Sequence, residues 1–489
     1  MKRLLFSLLP ALLMAAEPDA ARIKSLVEDA RKAWEVPGVG LAIVQGDRTL
    51  YLAGHGLREV GKPEPLTEHS LFQIASLTKA FTSAGIAMMV DEGKMAWDDP
   101  VRKHLDYFHL SDPHADSLVT IRDIASHRTG LPRHDVLWIR TGFARENLIR
   151  RMAFAKPTAP FRSLYQYQNL MFTSAGESLG HASGLGWDAF LKQRIFTPLG
   201  MTDSLTVYAD MARVIDKAMP HTKDKTQLKV AQWGNYDNIG GAGCIASSVN
   251  DLSHWLRLQL ASGVYDGKRL VSEKNLNETR LPNMVIRLTP PTSDLQPDFT
   301  QSTYGMGWQI NHYRGEMLVM HSGSLNGFRA LVTMVPRLKL GFVVLANLNG
   351  TNLNEALTDT LLDEYLGLPK ARDWNAHMLS VVRRNEERDA REKLEKEEER
   401  KKDTKPSLPL SAYVGLYREP AYGDAKVIFQ DGKLIVEWAR TKGEMEHWHF
   451  DTWRLKDGIG LADTMATFTL DAKGVPSKLT LLGQDFLRQ

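Results

Sequence analysis

A single cysteine, Cys244, stands in 489 residues, so no disulfide framework holds this chain together and its stability must come from burial. Cys244 lies in "GGAGCIASS" without a base near it in sequence, the setting of a buried structural thiol. Charge of one sign is lacking too. The 61 basic and 58 acidic residues leave a formal +3, and no positive field points to nucleic acid as a partner. Long hydrophobic runs are absent. The apolar stretch from Leu4 to Ala16 follows two cations and falls short of the about 20 residues that a spanning helix needs. Small residues and then an acidic stretch come after it, so residues 1–16 read as a secretory signal cleaved near Ala15 or Ala16, with an uncleaved anchor as the alternative. The expectation is a secreted or periplasmic protein with no stable membrane span after cleavage.

What is present is a chain 43% hydrophobic and 24% charged with a mean hydropathy of −0.29. That is enough for an enzyme-sized core and a further domain. Residues 21–370 mix helical and strand signals. "RIKSLVEDARKAW" carries apolar residues at helical spacing, while "GVGLAIVQGDRTLYLAGHG" and "FRALVTMVPRLKLGFVVLANL" each read as two strands around a turn, at Gly46-Asp47 and Pro336-Arg337. Strands at both ends with helices between predict one α/β domain whose sheet is closed by distant segments. Residues 371–407 hold "RRNEERDAREKLEKEEERKKD", nine charges of each sign, read as a solvated helical linker or, alternatively, a partner-binding helix. Acid-first pairs four apart, such as Glu387 with Arg391 and Glu397 with Lys401, suit such a helix. Residues 408–489 change to short alternating runs with turn signals at Gln430-Asp431-Gly432-Lys433 and Asp471-Ala472-Lys473-Gly474, predicting a small antiparallel β domain, barrel-like or a sandwich. Trp438, Trp448 and Trp453 pack its core or line a cavity there. No internal repeat is found.

Chemistry is suggested first by "FQIASLTKAF". A serine hydroxyl needs a base before it attacks, and in Ser76-x-x-Lys79 the amine lies one helical turn along the same face. Chance alone supplies about 1.5 such pairs in a chain of this composition. The setting adds to it: "LTKAFTSAGIAMMVDEG" reads as a buried helix ending at Gly93, which places Ser76 near free backbone amides that favour developing negative charge. Capping that helix is an equally good use of Ser76. A proton relay and an amide-holding asparagine are offered by Tyr167-Gln168-Asn169, but also by Tyr236-Asp237-Asn238, and spacing does not choose. In "LVMHSGSLNGFRALVTMV", His321-Ser322-Gly323 precedes an apolar strand. Glycine there permits close approach, and the amide of Ser324 can pair with that of Ser76 as an oxyanion hole. Taken alone, His321 and Gly323 read rather as a satisfied polar residue and a turn.

In this order, Ser76-x-x-Lys79, Tyr167-x-Asn169 and His321-x-Gly323 resemble the serine β-lactamase and penicillin-binding-protein superfamily, in its branch of class C β-lactamases, D-aminopeptidases and related esterases. "TIRDIASHRTGLP", "RIFTPLGMTDS", "GGAGCIASSVNDLSHWL" and "GSLNGFRA" look like that branch too, and the resemblance covers about residues 25 to 368. It implies an antiparallel sheet flanked by helices, with a mostly helical subdomain from roughly 100 to 235 and the site between them. It selects Tyr167 over Tyr236. By analogy Ser76 attacks a carbonyl, Lys79 and Tyr167 manage its proton, the amides of Ser76 and Ser324 hold the oxyanion, Asn169 positions substrate, and His321 lines the far wall of the cleft. No metal or organic cofactor is needed, and no His-Glu-x-x-His is present. Many β-lactamases of the superfamily carry lysine where this chain has His321, and a largely neutral imidazole points away from efficient β-lactam hydrolysis. The expected substrates are esters, amides or D-amino-acid peptides, as small molecules or short peptides. A peptidoglycan D,D-carboxypeptidase acting on cell-wall fragments and a penicillin-binding or sensing protein with little turnover are the alternatives. An appended C-terminal β domain also resembles members of the family.

Overall fold

The first hairpin joins β1 (Gly38–Gln45) to β2 (Arg48–Gly56) over Gly46-Asp47. In the computed structural model, which describes residues 19–224, 227–456 and 463–489, β3 (Met284–Val285), β4 (Phe299–Tyr304), β5 (Gln309–Tyr313), β6 (Glu316–Leu325), β7 (Phe328–Val335) and β8 (Leu340–Ala346) follow far along the chain. The segment read as a secretory signal lies outside the described residues. The eight strands form an antiparallel sheet in the order β2-β1-β8-β7-β6-β5-β4-β3. Its closing pair sets Val39 opposite Ala346, so the two ends of the domain meet as the second and third strands of the sheet.

Strand β1 is buried from Gly38 to Val44 because helices cover both faces, and a strand covered twice reads as a continuous apolar run. One face packs on α1 (Ala20–Ala33), the other on helices that include α2 (Thr78–Asp91). The remaining helices used below are α3 (Asp135–Arg140), α4 (Asn169–Ser183), α5 (Val249–Leu260), α6 (Leu353–Tyr365) and α7 (Trp374–Glu399). α6 joins α1 on its face, and α5 lies across β1 and β8 on the face of α2. From Val101 to Met211 the elements are all helical, mostly short apart from α4, giving the helical subdomain over α2. Helix α2 has no exposed polar face and is buried from Thr78 to Met89, Lys79 included.

Helix α7 has two parts. Trp374 and Met378 pack into the core of the preceding domain and Val381 is buried beside them, so the first turns of α7 belong to that domain and the exposed, charged part begins near Arg383. Its ion pairs differ from the acid-first set: Arg388 meets Asp389 and Glu392, while Lys393 and Glu397 reach Asp463 and Arg454 of the next domain. That domain is a closed eight-stranded antiparallel barrel from Gly415 to Arg488, closed by Tyr417 opposite Arg488. Trp438 and Trp453 are 1% exposed in its core. Trp448 instead lies at the wall, between the guanidiniums of Arg400 and Arg454 at 4.8 and 4.7 Å.

Candidate active site

Ala75, Ser76 and Leu77 form a tight 3-10 turn that leads into α2. Ala75 holds a left-handed backbone at φ +53, a conformation that non-glycine residues adopt only under constraint. Between Leu71 and Met89 only Ser76 escapes burial. It does not cap α2, whose first residues receive no side-chain cap.

Lys79 is 0% exposed, and its Nζ lies 2.8 Å from Asn169 Oδ1, 2.8 Å from the carbonyl of Ala242 and 3.1 Å from Ser76 Oγ. Burial drives its pKa well below the ordinary lysine range; the Arg133 guanidinium adds to this and Asp135 opposes it. A neutral amine has two N–H bonds and one lone pair. With Asn169 Oδ1 and Ala242 taking the two N–H bonds, the lone pair is left for the Ser76 hydroxyl.

Tyr167 interacts with the Ser76 side chain, and its ring lies 4.7 Å from Lys79 Nζ. Burial pushes its pKa up, partly offset by Ser76 and by Arg133, so the phenol keeps its proton at neutral pH and can relay one. The Tyr167 loop is pinned from behind. His127 Nδ1 accepts from the Gln168 amide at 3.1 Å, and the imidazole lies 4.2 Å from the Tyr167 ring. Gln168 in turn caps α4 through the Leu170 amide, placing Asn169 in its first turn.

Strand β6 passes under the serine turn at Gly323, where a Cβ would fall 2.3 Å from the Ile74 carbonyl oxygen. Only glycine allows that approach. Ser324 lines the same cavity as Ser76, about 370 Å³ in volume. His321 differs from the expected place in the cleft wall. It is 3% exposed, accepts from the Tyr304 hydroxyl at Nε2 (2.9 Å) and donates from Nδ1 to the Ser322 carbonyl (2.7 Å). Burial, then Lys79, brings its pKa down to about 3. It is a neutral support behind Tyr304, because both nitrogens are engaged and no face is open to a ligand.

Residues outside the three motifs complete the cavity. Asp135 accepts from Asn169 Nδ2 (3.0 Å), Trp138 Nε1 (2.8 Å) and Arg133 Nε (2.5 Å), and so ties α3 to α4. Tyr236, the tyrosine that spacing alone did not exclude, lines the cavity with Asn326, while Asp237 accepts from the Tyr208 amide and Asn238 donates to Trp138 O. "HRTGLPRH" contains both His127 and Arg133. No short motif marks Asp135 or Trp138. Among the described residues no cluster of three or more metal-ligating side chains occurs.

A family model described as Beta-lactamase matches residues 23–366. The chain belongs to the beta-lactamase family. Its barrel and the end of α7 match a second model, a domain of unknown function, DUF3471, over residues 399–487. Within curated proteins, the unguisins hydrolase ungD of Aspergillus violaceofuscus is 29% identical over 92% of this chain and 85% of its own. Protein flp of Staphylococcus aureus is 24% identical over 67% of this chain and 63% of its own. Among solved structures, the octameric penicillin-binding protein homologue from Pyrococcus abyssi overlays with a TM-score of 0.63 at 21% identity, covering 96% of this chain and all of that one. The D-amino acid amidase of Ochrobactrum anthropi gives 0.58 at 22% identity over 72% and 98%. This beta-lactamase-family chain is a serine hydrolase.

Proposed function

We propose that the enzyme is exported and hydrolyses ester, amide or D-amino-acid peptide bonds of small molecules or short peptides through an acyl-enzyme on Ser76. The observation that carries this reading is the buried Lys79, whose amine is held 3.1 Å from Ser76 Oγ by Asn169 and Ala242 and whose pKa burial lowers. The lone pair takes the hydroxyl proton as Ser76 attacks the carbonyl. Tyr167 passes a proton to the leaving group, and the amides of Ser76 and Ser324 receive the oxyanion. Water then cleaves the ester so formed, with the same groups working in reverse. Relatives named as a hydrolase and an amidase support the reaction class.

A neutral His321 with both nitrogens engaged offers no charge to the carboxylate of a β-lactam. Steady-state kinetics with p-nitrophenyl butyrate, D-alanine p-nitroanilide and a chromogenic cephalosporin test the substrate class. The ester and the D-anilide should turn over, with the cephalosporin at least about 100-fold lower in kcat/KM, the scale of one lost charged contact. Rapid cephalosporin turnover would contradict the assignment. Acylation without release would favour the sensing protein.

A further inference from the structure

A second cavity, of about 560 Å³, lies beside the first, and Trp138 and Ile139 line both. It is built from two domains, with Arg140, Phe143 and Arg145 from the helical subdomain and Arg440 from the barrel turn between Trp438 and Thr441.

Its charges are unequally satisfied. Arg145 is held by Asp188 (2.9 Å), Glu177 (3.2 Å) and the Asp237 carbonyl (2.6 Å). The Asp237 carboxylate accepts from the Tyr208 amide. Among the described residues, Arg140 and Arg440 have no ion pair. Arg440 is nevertheless seated, because its guanidinium lies against Gly142, where a Cβ would fall 2.1 Å from Cζ. The barrel that carries it is fixed by a 2.8 Å hydrogen bond between Tyr422 Oη and His134 Nδ1, and by Arg151 donating to the Ala421 carbonyl at 2.8 Å.

We propose that this cavity is an outer subsite of the cleft, in which Arg440 and Arg140 bind a carboxylate carried several bonds from the scissile carbonyl. Ile139, 48% exposed, and Trp138 form the apolar saddle for the chain between the two groups. A carboxylate fits better than an ammonium, because the acids of the cavity already have donors and its two unpaired charges are guanidiniums, which bind carboxylates through paired N–H bonds. The assignment rests on Ser76 as the nucleophile.

The test uses the whole enzyme and two series of p-nitrophenyl or alkyl esters, each neutral ester matched to one with a terminal carboxylate on the acyl chain or on the alcohol. In at least one series the carboxylate should raise kcat/KM about tenfold or more, the scale of a charged hydrogen bond, and the gain should shrink as salt is added. In the Arg140→Gln/Arg440→Gln double variant that ratio should fall to near one, with the neutral ester as internal reference. No preference in either series would overturn the subsite, as would a preference that persists in the double variant and so belongs to Arg133. Failure of the neutral esters themselves would instead overturn Ser76 hydrolysis.

Discussion

Lys79 is fully buried, and the pH profile should show this. Activity needs its amine unprotonated, so kcat/KM should rise with pH along a limb set well below the ordinary lysine range. Burial keeps Tyr167 protonated beyond the ordinary tyrosine range, which leaves a wide plateau. Arg133 pushes the Lys79 pKa down and Asp135 pulls it up. Arg133→Gln removes the downward push, so the acid limb should move to higher pH in profiles on p-nitrophenyl butyrate. A limb that stays in place or moves down would contradict this electrostatic account. Ser76, Lys79 and Asn169 were legible in sequence because one helical turn and one short loop carry them. Asp135 was not, since its partners Asn169 and Trp138 reach it through packing rather than spacing. His321 was legible as a position and misread as a wall, because burial by Tyr304 is a tertiary fact.

At the scale of the element, strand β6 and the Ala75–Leu77 turn work as one unit whose spacing is set by Gly323. Gly323→Val would drive its side chain into the Ile74 carbonyl. A displacement of about 1 Å at a reacting group costs on the order of 100-fold in rate, and overpacking of this kind about 1–3 kcal/mol in stability. Both losses should appear, in ester kinetics and in urea unfolding; wild-type kinetics in this variant would contradict the close approach. The hairpins at Gly46-Asp47 and Gln430-Lys433 were readable because turn residues interrupt apolar or alternating runs. The docking of α7 was not. Its three buried residues, Trp374, Met378 and Val381, are outnumbered by the charges that follow, and Glu397 finds Arg454 of the barrel in place of a neighbour on its own helix.

For the whole molecule, the antiparallel sheet closed by distant segments and the β texture of the last 80 or so residues were visible as pattern. Where the barrel sits was not, because the contacts of Tyr422 with His134 and of Arg440 with Gly142 join residues about 290 to 300 positions apart, which no local pattern marks. The barrel lies beside the cleft and touches His134, the neighbour of both Arg133 and Asp135. All of this arrangement has a purpose only if Ser76 is the nucleophile. Intact-mass spectrometry of wild type and Ser76→Ala after exposure to a fluorophosphonate tests that directly. Wild type should gain one phosphonyl group as Ser76 Oγ displaces fluoride, and Ser76→Ala none. An unlabelled wild type, or equal labelling of the variant, would contradict the account.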